Sequence, residues 1–293
     1  MAHYHVTNDD DFLHYHFFFV FDPHNCFNTK RFVESNPKKK KKFFKTLIFF
    51  IDNSNLSSCD FTIIPLGVYG GFIEGNLTSF LFARNRSSSF VSLDAGTIFQ
   101  GLHKFVEKNF VGVENQLSLN FNLPSYVENT QQISSHIMKE HIHAYMIGHS
   151  HLDHIAGLVI NSPQMSNISK KIVGFSNVVS AVNNFIFRPE IWVSLSYLKN
   201  YQNSIINGNQ EYSMDQFLND NSMSDVSVKG FELCHDSVNS TAFLFTARTG
   251  SIISSQMLYF SDTGPSTTST CDWRGKINQI WLDPLLNDLS TLK

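Results

Sequence analysis

The stretch Gly148-His149-Ser150-His151-Leu152-Asp153-His154 packs three imidazoles and a carboxylate into six consecutive positions. It follows the apolar run Ala144-Tyr145-Met146-Ile147, which reads as a buried strand. Residues two apart on an extended segment point the same way, so His149 and His151 can converge on one cation. The chain then turns, and Asp153 and His154 face a second point a short distance further on. A mixed nitrogen and oxygen donor set of this kind suits zinc or a similar divalent metal. Gathering so many titratable groups without a metal would leave their mutual desolvation uncompensated. A polar loop of capping or solvent-facing residues is the alternative reading of the same stretch.

The surrounding composition bounds what such a site serves. The chain has 293 residues, of which 42% are hydrophobic, enough for one large α/β domain. A formal net charge of -3 gives no general argument for a nucleic-acid partner or an anionic membrane. The four cysteines, Cys26, Cys59, Cys234 and Cys271, are scattered without a C-x-x-C pair and read as free thiols of a cytoplasmic protein. The longest apolar stretches, such as Phe17 to Phe21 and Thr46 to Ile51, are too short to span a bilayer, and no secretory signal is evident.

Residues 1–60 differ from the rest. They hold His3, His5, His14, His16 and His24, a Phe17-Phe18-Phe19 run and five lysines from Lys38 to Lys42, with little periodicity. They are expected to be a low-complexity, disordered extension, and residues 61–293 the folded domain. From Phe61 onward, Phe61 to Leu66 and Ser89 to Leu93 read as strands ending in glycine turns. Helical signal lies at Gly101 to Asn109 and at Asn177 to Phe187, where Val178, Val179, Val182 and Ile186 share a face. Strand character returns at Ala242 to Thr246, Gln256 to Phe260 and Lys276 to Leu282. The polar stretches Gln116 to Gln132 and Tyr201 to Ser227 are expected as loops or short helices over the site. His136, His141 and His143 are expected to be solvated rather than catalytic.

His149 through Pro163, with Ala156-Gly157-Leu158 and Ser162-Pro163 following the histidines, closely resembles the signature region of the class II cyclic-nucleotide phosphodiesterases, a family of the metallo-β-lactamase superfamily. Further segments resemble that family in order: Leu66 to Gly71 with Glu74-Gly75-Asn76, Ser92 to Thr97, Lys171 to Gly174, Phe231 to His235, and Tyr259 to Pro265. The likeness spans Phe61 to Asp283. It implies an αββα sandwich of the metallo-β-lactamase type and hydrolysis of 3′,5′-cyclic nucleotides to nucleoside 5′-monophosphates. Cyclic AMP, and alternatively cyclic GMP, would be the small-molecule substrate in cyclic-nucleotide signalling.

Carried onto this chain, the resemblance implies two divalent metal ions, zinc foremost. His149, His151 and His235 would hold the first, Asp153 and His154 the second, and Asp262 would bridge both. Such a pair assists in-line displacement at phosphorus, with Asp153 and Asp262 the catalytic carboxylates. Asp94 is expected either to orient a metal histidine from beneath or to serve as a plain turn residue. Gly67, Gly70 and Gly71 are candidates for letting backbone approach the phosphate. The family carries one more histidine near its C-terminus, in a Gly-His-Leu-like segment, yet His235 is the last in this sequence. The fold is therefore expected to be incomplete at the C-terminus and metal 2 short of a ligand. The alternatives to the phosphodiesterase are another hydrolase of the same fold, acting on RNA 3′ ends or thioesters, and a non-catalytic remnant.

Overall fold

The computed structural model describes residues 60–262, except 72, 110–118, 120, 165–166 and 236–237, together with a short strand β1, Phe19–Phe21. Six strands form the first sheet in chain order: β2 (Phe61–Gly67), β3 (Ser79–Arg84), β4 (Phe90–Leu93), β5 (Ile142–Met146), β6 (Lys170–Gly174) and β7 (Tyr201–Ile205). The first three are antiparallel meander strands, and β4 to β7 run parallel. The second sheet is antiparallel, in the order β1, β11 (Ile252–Phe260), β10 (Val238–Thr249), β9 (Val226–His235), β8 (Glu211–Ser213).

Alternation along the strands decides how the sheets meet. Ile63, Phe82 and Val91 are cross-strand partners and share one face. From that face the Phe82 ring reaches Phe245 of β10, with centroids 4.3 Å apart, and Phe80 reaches Tyr259 of β11 at 5.9 Å. Each such pair contributes about 0.5–1.5 kcal/mol beyond its burial. The opposite face carries Ile64, Leu81, Ser92 and Tyr145, and helices pack there. Helix α1 (Phe99–Asn109) buries Leu102, Phe105 and Val106 at helical spacing and lies on β2. Three further helices follow along the chain: α2 (Thr130–His136), α3 (Leu152–Asn161) and α4 (Ser176–Ala181), the last lying on β6 and β7. The outer face of the second sheet is apolar as well: Leu233, Leu244, Leu258 and Phe260 are buried although Phe243 and Phe245 point inward. Two sheets face to face, each with an apolar outer face, are what an αββα sandwich requires.

Several expectations are corrected here. The stretch Tyr201 to Ser227 supplies β7 and β8, the last strand of each sheet, rather than a cover over the site. Gln202 and Asn203 can be polar because β7 sits at an edge, where burial does not select for apolar residues. Helix α3 was hidden inside the metal motif, and β3 and β6 lie in continuous apolar or mixed runs that alternation does not reveal. Three residues of the N-terminal extension pair with β11, Phe19 opposite Tyr259. The rest of that extension and the strand expected at Lys276 to Leu282 lie outside the described residues.

Candidate metal centre

The histidine motif sits where β5 gives way to α3, at the C-terminal end of the parallel strands. Ile147 still bonds to the β6 backbone at Val173, so the chain leaves the sheet only at Gly148. His151 is the N-cap of α3 with extended backbone, φ -65° and ψ 149°, so the same-side relation of His149 and His151 survives. Their rings lie 4.6 Å apart. Asp153 falls in the first turn of α3, where the helix dipole favours an anion. The start of α3 is fastened to the turn after β4: Ala95 N–H bonds to the His154 carbonyl at 2.7 Å, and Leu158 N–H to the Ala95 carbonyl at 3.1 Å.

Two distant segments complete the cluster. His235 ends β9, with its ring 4.8 Å from His149 and 5.0 Å from His151. Asp262 follows β11; its Oδ1 is 3.4 Å from His154 Nε2 and its Oδ2 is 3.8 Å from His235 Nε2. Donor atoms of His149, His151 and His235 lie within 4.8 Å of one another, and so do those of His149, His154 and Asp262. The first group is the trio expected from the sequence. In the second, His149 stands where Asp153 was expected. Asp153 Oδ2 is 3.7 Å from His154 Nε2 and accepts the Gly71 N–H at 3.1 Å. Gly71 adopts φ +60°, which brings the glycine-rich turn after β2 against the site.

Beneath the imidazoles lies a fully buried carboxylate, Asp94. Its Oδ1 accepts the Gly148 N–H at 2.7 Å. Its Oδ2 accepts three donors: His154 Nδ1 at 2.8 Å, Tyr259 Oη at 2.6 Å and Ser261 Oγ at 2.8 Å. His149 Nδ1 lies 3.1 Å from the same Ser261 hydroxyl. Both buried rings thus have Nδ1 engaged below, which leaves Nε2 toward the site. His149 Nε2 is buried and has no hydrogen-bond partner among the described residues. That is the arrangement of imidazoles that ligate through Nε2, oriented through the other nitrogen.

Electrostatics separate the two buried rings. Burial, reinforced by the neighbouring imidazoles, pushes His149 down to about 2, so it is neutral and able to donate a lone pair. Burial opposes charge on His154 too, but Asp94 and Asp262 outweigh it and pull the ring up to about 10. Burial likewise works against the Asp262 carboxylate, and the surrounding imidazoles still hold it below its ordinary value.

Sequence reasoning missed Ser261 and Tyr259. The signal was present: they are two apart at the end of β11, so their side chains share a face. Of the turn-or-orienter alternatives for Asp94, the geometry supports the orienter. His136, His141 and His143 are not solvated. His141 and His143 are buried at the N-terminal end of β5, and His136 is half-buried beside them. The two ring nitrogens of His141 face the Ser88 and Phe121 carbonyls, both at 2.9 Å. His143 Nδ1 accepts the Asn219 N–H at 3.2 Å, and His136 Nε2 faces the Phe121 carbonyl at 3.1 Å. Buried polar groups must be paired, and here protein atoms do the pairing.

The αββα sandwich brings His149, His151, His154, His235 and Asp262 together at the sheet ends, a donor set that could hold divalent cations. The profile of the class-II cAMP phosphodiesterases matches residues 58–291, and the chain belongs to that family. It is 33% identical over 274 residues to the cAMP/cGMP-dependent 3′,5′-cAMP/cGMP phosphodiesterase A of Dictyostelium discoideum, covering 78% of this chain and 59% of that protein. A probable 3′,5′-cyclic-nucleotide phosphodiesterase of Yersinia pestis is 27% identical over 240 residues, covering 79% of this chain and 63% of that protein. Among solved structures, unliganded yeast PDE1 superposes with a TM-score of 0.56 at 20% identity, covering 67% of this chain and 64% of that one, which fixes the fold. The chain spans about three fifths of the length of the curated relatives it matches.

Proposed function

We propose that this chain hydrolyses the 3′,5′-phosphodiester of cyclic nucleotides, cyclic AMP foremost and cyclic GMP in addition, to give nucleoside 5′-monophosphates that end a cyclic-nucleotide signal. The observation that carries the reading is the convergence of His149, His151, His154, His235 and Asp262 from three separate segments onto one point. His149, His151 and His235 would hold one divalent cation. Asp153, His154 and Asp262 would hold a second, with Asp262 facing both, and imidazole with carboxylate suits zinc. Such cations, when bound, polarise a phosphoryl oxygen and lower the pKa of water.

The remaining steps belong to the chain's own residues. Asp94 and Ser261 hold the His154 and His149 rings so that Nε2 faces the substrate side. The glycine-rich turn presents backbone rather than side chains there, so a cyclic phosphate can approach closely; Gly71 N–H already faces the acid Asp153. Attack by water in line with the ribose 3′ oxygen forms a new P–O bond and breaks the P–O3′ bond. The proton lost by water ends on O3′.

Incubating the purified chain with zinc and cyclic AMP or cyclic GMP, then quantifying 5′-monophosphate, tests the reading. Turnover that stops on chelation and returns with zinc supports it. A zinc-loaded chain that leaves both cyclic nucleotides intact, or cleaves RNA or a thioester instead, overturns it.

A further inference from the structure

Ser261 is 1% exposed and its backbone N–H bonds to the Thr241 carbonyl at 3.3 Å. Its side chain lies directly on Gly148: a Cβ at Gly148 would fall 2.2 Å from Ser261 Cβ, so glycine is required there for the serine to reach the histidines. A hydroxyl has one hydrogen and two acceptor lone pairs, whereas an ionised carboxylate only accepts. The Ser261 hydrogen is therefore committed to Asp94 Oδ2, 2.8 Å away. Toward His149 Nδ1, at 3.1 Å, the same oxygen offers a lone pair. A neutral imidazole carries one N–H, and this contact places it on Nδ1. The lone pair is then on Nε2, the buried atom without a partner among the described residues.

We propose that Ser261 is a positioning residue, which relays the acceptor character of Asp94 to His149 and fixes the ring as the Nδ1–H tautomer with Nε2 open to a cation. This deepens the metal reading given above and rests on it. Asp94 serves His154 directly and His149 through one hydroxyl, so a single carboxylate orients both buried rings. With Nδ1 held below, His149 has the single lone pair of Nε2 to offer, so it can ligate one cation of the two donor groups in which it stands.

The test reads the tautomer before any metal is added. Long-range proton–nitrogen correlation spectra of the metal-free chain, with His149 assigned through H149Q, report which ring nitrogen carries hydrogen. Zinc affinity is measured separately by competition with a chromophoric chelator. In the unsubstituted chain His149 is expected as the Nδ1–H form. S261A should show a mixture of tautomers and zinc affinity lowered about 10- to 100-fold, the usual cost of losing such an orienting partner. S240A removes an equally buried hydroxyl, one without a hydrogen-bond partner among the described residues, and should leave both readouts unchanged. If S261A does not fold, S261C keeps the shape with a much weaker hydrogen-bonding group and should shift both readouts in the same direction. Retention of the Nδ1–H tautomer and of full zinc affinity in the folded variant overturns the proposal. An unsubstituted chain that binds no zinc overturns the metal reading instead, and the tautomer, read without metal, tells the two failures apart.

Discussion

Strand β5 has a group of histidines at each end, and the two groups could hardly be treated more differently. At its N-terminal end His136, His141, His143 and Lys170 bond to carbonyls, amides and side chains of the protein itself. Lys170 Nζ alone donates to the carbonyls of Met138 at 2.9 Å, Lys139 at 3.0 Å and Ile142 at 2.5 Å, closing the end of the helical turn that precedes β5. At the C-terminal end each buried ring is bonded through Nδ1 only, and a carboxylate and four imidazoles crowd the open side. Histidine number does not separate a structural cluster from a ligand site. What separates them is which atoms face the open side of each ring: His141 has carbonyls at both nitrogens, whereas the buried Nε2 atoms of His149 and His154 have no hydrogen-bond partner among the described residues.

The largest effect that would sharpen this contrast is expected from D262N. It removes the charge facing both His154 and His235 and should lower cyclic-nucleotide turnover by about 10³-fold, several kcal/mol of transition-state stabilisation. Loss of stability without loss of turnover would break the distinction.

Second in size is the pH response of the closed end. Burial holds His143 down to about 4 from an ordinary 6.5, against the pull of Asp220. Between those values the unfolded chain takes up a proton that the folded chain refuses, so stability falls as pH drops through that window. The loss attributable to His143 is at most about 3 kcal/mol. Urea unfolding of H143Q between pH 7 and pH 4 should show a flatter dependence, with turnover at neutral pH within about threefold of the parent, the glutamine oxygen still accepting from Asn219.

K170M comes next. It strips the donor from three buried carbonyls and should cost about 1–3 kcal/mol in urea unfolding, again without a matching loss of activity. Burial brings Lys170 down to about 7 from 10.5, so its contribution to stability declines as pH falls from 10.5 toward 7. The variant should lack that slope.

The smallest effect belongs to the rim of the open end. G71A imposes a side chain at φ +60° and should cost about 1 kcal/mol. As the turn shifts its N–H away from Asp153, KM should rise more than kcat falls. Equal loss in both parameters would argue that the turn acts on chemistry rather than on substrate approach.

Much of this was legible in the chain itself. The spacing of His149, His151, Asp153 and His154 pointed to a candidate cation site because few other arrangements justify gathering those groups. The ordered segments around it led to the correct fold class, and Asp94 was visible as a candidate orienter. Residues 201–227 were read less well, since polar composition does not distinguish a loop from an edge strand. The three histidines at the N-terminal end of β5 were misjudged for a related reason: the distant carbonyl or amide that pairs an imidazole leaves no mark in sequence.

Local order along the chain determined the donor types and two of their positions relative to each other, because backbone geometry fixes what neighbours within a strand end or a helical turn can share. Only the tertiary structure decided that His235 and Asp262 arrive beside them, since that depends on β9 and β11 packing across the sheet interface. It alone revealed which nitrogens remain open, because a hydrogen bond such as Ser261 to His149 joins residues 112 positions apart and is set by the register of two sheets rather than by any neighbour in the chain.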